Sequence, residues 1–246
     1  MQTHDIDYCD DAVNLRGYLA YDDKASEPRP GVLVFHEGLG LDEFAMARAR
    51  MLAELGYVAL AADMFGDRRQ ARNLQEVAKL VGELRNEPQM LRARGHAALA
   101  TLAALPQVDG DRMAAIGFCF GGSVVLELAR DGADLKAAVS FHGVLATNSP
   151  AVSGKVKASV LICTGADEPL APAEQIKAFE DEMRAAEVGD WQVISYGNTL
   201  HSFTNPAADG SVMPTALYSE QADRRAWASM RSLFDEVLCD DAGGSE

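Results

Sequence analysis

The chain has 246 residues, 48% of them hydrophobic, and a net charge of −15 from 37 acidic and 22 basic side chains. That length and apolar content suffice for one α/β core without help from disulfides or metal. The acidic surface, with no basic stripe to offset it, argues against nucleic acid and anionic lipid as partners and favours a small neutral or weakly anionic substrate.

No run of about 18 apolar residues occurs, so no transmembrane span is expected. The opening residues "MQTHDIDYCDD" hold no apolar h-region, so no secretory signal is expected either. Cys9, Cys119, Cys163 and Cys239 form no CxxC pair. Their spacing points away from a zinc site or disulfide framework and toward a reducing cytoplasm. No metal or cofactor is expected.

In chain order, "DAVNLRGYLAYDD" alternates and reads as a strand or hairpin, and "PGVLVFHEGLG" as a buried strand ending in a glycine-bounded loop. "DEFAMARARMLAELGY" is an amphipathic helix with Gly56 near its end, followed by the strand "VALAADMFG". A helical pattern runs from "NLQEVAKLVGELRNEP" to "MLRARGHAALATLAALP", broken near Pro88. Strand "RMAAIGF" leads through Cys119 into the helix "GGSVVLELARDG". "LKAAVSFHG" and "ASVLICTGADEP" are further strands, "AEQIKAFEDEMRAAEVG" a helix, "WQVISYG" a strand and "EQADRRAWASMRSLFDEVL" a closing helix. Such alternation specifies a mostly parallel sheet with helices on both faces, in a single domain over 1–238 with a disordered tail over 239–246. Ligands of such sheets collect outside the carboxyl ends of the strands. Each polar residue singled out below follows a strand end.

Gly117-Phe118-Cys119-Phe120-Gly121 fits the nucleophile-elbow pattern G-x-nucleophile-x-G, with cysteine in the central place. The elbow strains the nucleophile's backbone, so residues two away must be small. The helix that follows aims its N-terminus at the thiol, favouring thiolate, and leaves the Phe120 N–H free to bind an oxyanion. Most free cysteines are simply buried hydrophobes. Glycines at both −2 and +2 flank a given cysteine by chance only about 0.5% of the time, or about 2% across four. Cys163, inside the apolar run "SVLICTG", reads as core, and Cys119 as nucleophile.

A thiol nucleophile needs a base, and the base an orienting acid. The chain order nucleophile, acid, histidine selects His201 in "YGNTLHSFTNP". His4 lies in the terminus and His96 in a helix, while His36 and His142 end strands and fall at the wrong chain position for the base. They are read, with Ser202 and Phe203, as lining the substrate pocket. The acid comes from "TGADEPLAP", where Asp167 and Glu168 are adjacent and remain alternatives.

These residues resemble the dienelactone hydrolase family, cysteine members of the α/β-hydrolase superfamily, over nearly the whole chain. The marks are "FHEGLG", "AAIGFCFGG", "VSFHG", "GADEPLAP" and "HSFTNP". The resemblance implies an α/β-hydrolase fold, Cys119 as nucleophile and His201 as base. It also implies that Glu37 hydrogen-bonds the resting thiol and joins in its activation, and that Gly38 supplies the second oxyanion-hole N–H. The family's Asp-Pro-(apolar)-x-Pro pattern aligns Glu168 with the aspartate, so either the acid is a glutamate or Asp167 has taken its place. The family prototypes grip the substrate carboxylate with arginines, one shortly after the catalytic histidine. Here "SFTNPAAD" has none, and Arg68 and Arg69 in "FGDRRQ" are the available substitutes.

The function expected is hydrolysis of activated esters or lactones through a Cys-His-acid triad, with aryl esters and phosphotriesters as promiscuous substrates, by a cytoplasmic monomer or homodimer. The competing reading is a non-catalytic or redox-sensing small-molecule-binding protein on the same fold.

Overall fold

Two N-terminal strands, β1 (Gln2–Asp10) and β2 (Val13–Tyr21), pair antiparallel from Gln2↔Tyr21 to Asp10↔Val13 and begin the sheet. The computed structural model describes residues 1–11, 13–24 and 27–239. The acidic opening stretch is thus itself a strand. It is an edge strand exposed along most of its length, which removes the apolar alternation that marks strands in sequence.

The next elements are β3 (Arg29–Phe35), α1 (Glu43–Glu54), β4 (Val58–Ala62), α2 (Leu74–Asn86), α3 (Pro88–Ala103), β5 (Val108–Phe118) and α4 (Phe120–Asp131). They are followed by β6 (Ala137–Phe141), β7 (Ser159–Gly165), α5 (Ala173–Ala185), β8 (Trp191–Tyr196) and α6 (Glu220–Val237). The eight strands are ordered β1-β2-β4-β3-β5-β6-β7-β8. Every pair from β4 through β8 is parallel.

Local chemistry sets the helix boundaries. Asp42 accepts from Ala45 N–H and Asn73 from Glu76 N–H, capping α1 and α2. Pro88 ends the α2 pattern because it opens α3, where its missing N–H is no loss. Gly132 closes α4 at φ +82°.

Strand side chains alternate between two cores. Leu33 and Phe35 of β3 pack with α2, α3 and α4, whereas Val32 and Val34 pack with α1 and α6. A third cluster joins α5, through Phe179 and Met183, to Leu126 and Ile162. β4 and β6 are buried at every position, as strands covered on both faces require. Phe234 is fully buried, and truncating such a side chain to Ala costs about 3–5 kcal/mol. The parallel arrangement brings the carboxyl ends of β3, β5, β6, β7 and β8 to one rim. Residues 240–246 of the expected tail lie outside the described residues, and Cys239 is exposed.

Candidate active site

Cys119 sits at the β5–α4 joint at φ +52°, ψ −112°, a strained conformation for a non-glycine residue. Its neighbours make that turn possible. A Cβ at Gly117 would collide with the Gly121 carbonyl, and one at Gly121 with the Phe35 carbonyl. Gly121 N–H instead donates to His36 O at 3.0 Å, pinning the start of α4 onto the end of β3. Cys119 is half-buried, whereas Cys163 is fully buried in the core. Burial pushes the Cys163 thiol up to about 12.

The Cys119 sulfur meets His201 Nε2 at 3.0 Å, and His201 Nδ1 meets Glu168 Oε2 at 2.8 Å. Glu168 is 3% exposed and its other oxygen accepts the Leu170 N–H at 3.0 Å. Asp167 is exposed. Burial works against a charged His201, but the Cys119 sulfur and then Glu168 more than offset it and raise the imidazole to about 10. Sulfur, imidazole and carboxylate thus form one hydrogen-bonded line that holds the proton on the His201 ring.

Phe120 is the first residue of α4, so its N–H lacks an intrahelical acceptor. The β3–α1 loop turns tightly, with Gly40 at φ +104° donating to Glu37 O at 3.2 Å. Gly38 N–H has no acceptor among the described hydrogen bonds. Phe120 begins the helix after the elbow, and Gly38 lies in the loop after β3, whose end the Gly121–His36 bond ties to that helix.

The structure reassigns several expected residues. The Glu37 carboxylate accepts from Ser202 Oγ at 2.8 Å and Asn205 Nδ2 at 2.6 Å, while the thiol's partner is His201. The implied hydrogen bond between Glu37 and the resting thiol is thus replaced by a brace between two loops. Burial raises the Glu37 pKa, opposed by the bonds from Asn205 and Ser202.

Of the four residues expected to line the pocket, His36, His142 and Phe203 have essentially no exposed surface. His36 Nδ1 donates to Glu37 O (2.6 Å) and its Nε2 accepts Met64 N–H (3.2 Å), tying the end of β3 to the end of β4. Phe203 belongs to the core between Tyr196 and His142. Ser202, 8% exposed, spends its hydroxyl on Glu37. Arg68 is no carboxylate grip: its guanidinium bonds Asp5 and Gly17 O.

One residue that sequence reasoning missed stands nearby. Arg85 of α2, together with Ser123 and Glu127 of α4 and Thr147, lines a cavity of about 100 Å³. The guanidinium is partly desolvated, which lowers its pKa, with Cys119 and Glu127 opposing. Among the described residues it has no ion-pair partner. A half-buried arginine near the end of a helix has no distinguishing sequence signal.

A mostly parallel eight-stranded sheet with helices on both faces, and polar groups gathered at the carboxyl rim, defines an α/β-hydrolase fold. Residues 15–238 match the dienelactone hydrolase family, and the chain belongs to that family of hydrolases. It is 29% identical over 96% of its length to a Yersinia pestis protein provisionally named a carboxymethylenebutenolidase, spanning 91% of that protein. Among solved structures, a dienelactone hydrolase-like promiscuous phosphotriesterase from metagenomic libraries is 44% identical, with a TM-score of 0.91, 97% of this chain and 99% of that one covered. A provisionally named dienelactone hydrolase from Klebsiella pneumoniae is 25% identical with a TM-score of 0.82, covering 96% and 98%. No helix among the described residues is long and apolar enough to cross a membrane.

Proposed function

We propose that the protein hydrolyses activated carboxylic esters or lactones through a Cys119–His201–Glu168 triad and a thioester acyl-enzyme. The observation that carries this reading is the 3.0 Å approach of His201 Nε2 to a sulfur held on a positive-φ elbow. In the first half-reaction Cys119 Sγ bonds to the acyl carbon, and the Phe120 and Gly38 N–H groups hold the oxyanion. Each such donor is typically worth about 3–4 kcal/mol. The carbon–oxygen bond to the leaving group then breaks, and the departing oxygen takes its proton from the His201 imidazolium. In the second, His201 accepts a proton from water as the water oxygen bonds to the thioester carbon. The carbon–sulfur bond breaks, returning the thiolate and the imidazolium and releasing the acid.

A thiolate leaves more readily than an alkoxide, so the tetrahedral adduct reverts unless the substrate's own leaving group is good. Enol lactones and aryl esters meet that condition and amides do not. The phosphotriesterase relative supports a side activity on neutral aryl phosphotriesters, whose phosphoryl oxygen would occupy the same two donors. The test is p-nitrophenyl acetate hydrolysis by wild type and Cys119→Ala. The variant should lose at least about 10³-fold in kcat, on the scale of nucleophile deletions in triad hydrolases. Undiminished turnover would reject the mechanism.

A further inference from the structure

His142 is buried directly behind the reacting pair, and the mechanism above gives it no role. It follows β6 at φ +42°, and its own N–H donates to Cys163 O at 2.8 Å. Its ring touches both halves of the site. Nδ1 lies 3.1 Å from the Cys119 backbone N, and Nε2 lies 2.7 Å from Thr204 Oγ1, three residues beyond His201. An amide N–H can only donate, so Nδ1 must be the bare nitrogen and Nε2 must carry the proton given to Thr204. The Cys119 N–H is shared with Phe141 O at 3.0 Å, so the most strained residue of the elbow is fixed by a three-centre hydrogen bond.

The far end of the contact is anchored as firmly. Thr204 O accepts Arg48 Nη2 at 2.7 Å, and the same nitrogen donates to Asp223 of α6 at 2.7 Å. The His142 ring also stands edge-on to the ring of His201, with centroids 5.2 Å apart, and to Phe203 at 5.2 Å. Nucleophile and base arrive on separate strand ends, β5 and β8, with β6 and β7 between them in the sheet. One imidazole therefore spans from the backbone of the first to the loop of the second.

We infer that His142 is a positioning residue: a neutral, Nε2-protonated imidazole that registers the Cys119 elbow against the loop carrying His201. The inference rests on the assignment of Cys119 as nucleophile. Near-attack geometry is steeply sensitive to displacements of about 1 Å, so loosening this spacer should lower turnover while leaving substrate binding almost intact.

The side chains that can stand in for each half of the ring separate this role from simple core filling. In His142→Asn, Oδ1 takes the place of Nδ1 and can accept the Cys119 N–H, and asparagine tolerates the positive φ. His142→Leu fills the space without an acceptor, and Thr204→Val removes only the distal partner. For p-nitrophenyl acetate, His142→Leu is expected to lose about 10²-fold in kcat with KM within about twofold, consistent with a 1 Å misplacement. His142→Asn is expected to recover at least about tenfold of that loss, and its rate of Cys119 alkylation by iodoacetamide at pH 7 should return toward wild type. Thr204→Val is expected to lower kcat about three- to tenfold at unchanged KM, the scale of one neutral hydrogen bond, and it decides the matter should His142→Leu fail to fold. Equal kcat in the Asn and Leu variants, or a Thr204→Val enzyme with wild-type kcat, would overturn the inference. Cys119→Ala in the same assay keeps the two questions apart: if it remains active, the nucleophile assignment fails, and if it is dead while the His142 and Thr204 variants behave as wild type, only the role of His142 fails.

Discussion

Glu168 Oε2 lies 2.8 Å from His201 Nδ1, although the adjacent Asp167 is exposed and the two carboxylates leave the same loop. The difference is one of direction. Asp167 N–H donates to Thr199 O at 3.1 Å and Glu168 N–H to Gly165 O at 3.3 Å, a turn that sends successive side chains to opposite sides. Glu168→Gln should therefore lower kcat by about 10²–10⁴-fold, since an amide in this position favours the wrong tautomer of the base. Asp167→Asn should stay within about twofold, as surface changes away from the site do. Steady-state kinetics of the two variants reads both expectations.

The His201 imidazole, raised to about 10, fixes the direction of two pH effects. Its folded value lies above the unfolded one, so its contribution to stability is complete below about 6.5 and fades as pH rises through about 10. The imidazolium that protonates the leaving group is lost over the same alkaline range. The alkaline limb of kcat/KM, which reports the free enzyme, should fall near pH 10, and the His201 ring resonance should titrate there by NMR. In Cys119→Ala the sulfur is gone, burial regains ground, and the titration should move to lower pH. An unchanged His201 titration in that variant would remove the sulfur as its cause.

Glu37 braces the β3–α1 loop against the His201 loop through Ser202 and Asn205. Glu37→Ala leaves the buried Ser202 and half-buried Asn205 donors without their acceptor and should destabilise the fold by about 1–3 kcal/mol, measured by urea denaturation. The Cys119 sulfur is bonded to His201, so Glu37→Gln should alkylate with iodoacetamide at close to the wild-type rate. A large fall in that rate would assign Glu37 to thiol activation instead.

Arg85 lines the cavity beside α4 within the electrostatic reach of Cys119. Arg85→Met should raise KM about tenfold for aryl esters carrying a carboxylate, equivalent to about 1.4 kcal/mol, and leave KM for p-nitrophenyl acetate within about twofold. Parallel changes for both substrates would mean that Arg85 serves the fold rather than substrate selection.

Much of this arrangement was legible in the chain. The elbow glycines, the strand-to-helix joint and the position of His201 after the last strand are local or ordinal features, and the structure places all of them as read. What the sequence did not carry was direction. Asp167 and Glu168 differ only in which way a turn points them, and the fates of His36, His142 and Phe203 depend on what packs over each strand end. These three share an address with the reacting residues yet face inward, where ring nitrogens meet backbone and hydroxyl groups. Strand β1 escaped notice because an exposed edge strand needs no apolar face. Arg85 escaped because its significance lies in a cavity formed between two helices distant in the chain.

Brief reaction with p-nitrophenyl acetate, acid quenching and peptide mass spectrometry would test the thioester most directly. One acetyl group confined to the peptide containing Cys119, formed in a burst and lost on further incubation before quenching, is the expected result. Turnover with no acetyl group on Cys119 at any time, or with the acetyl group on another residue, would contradict it.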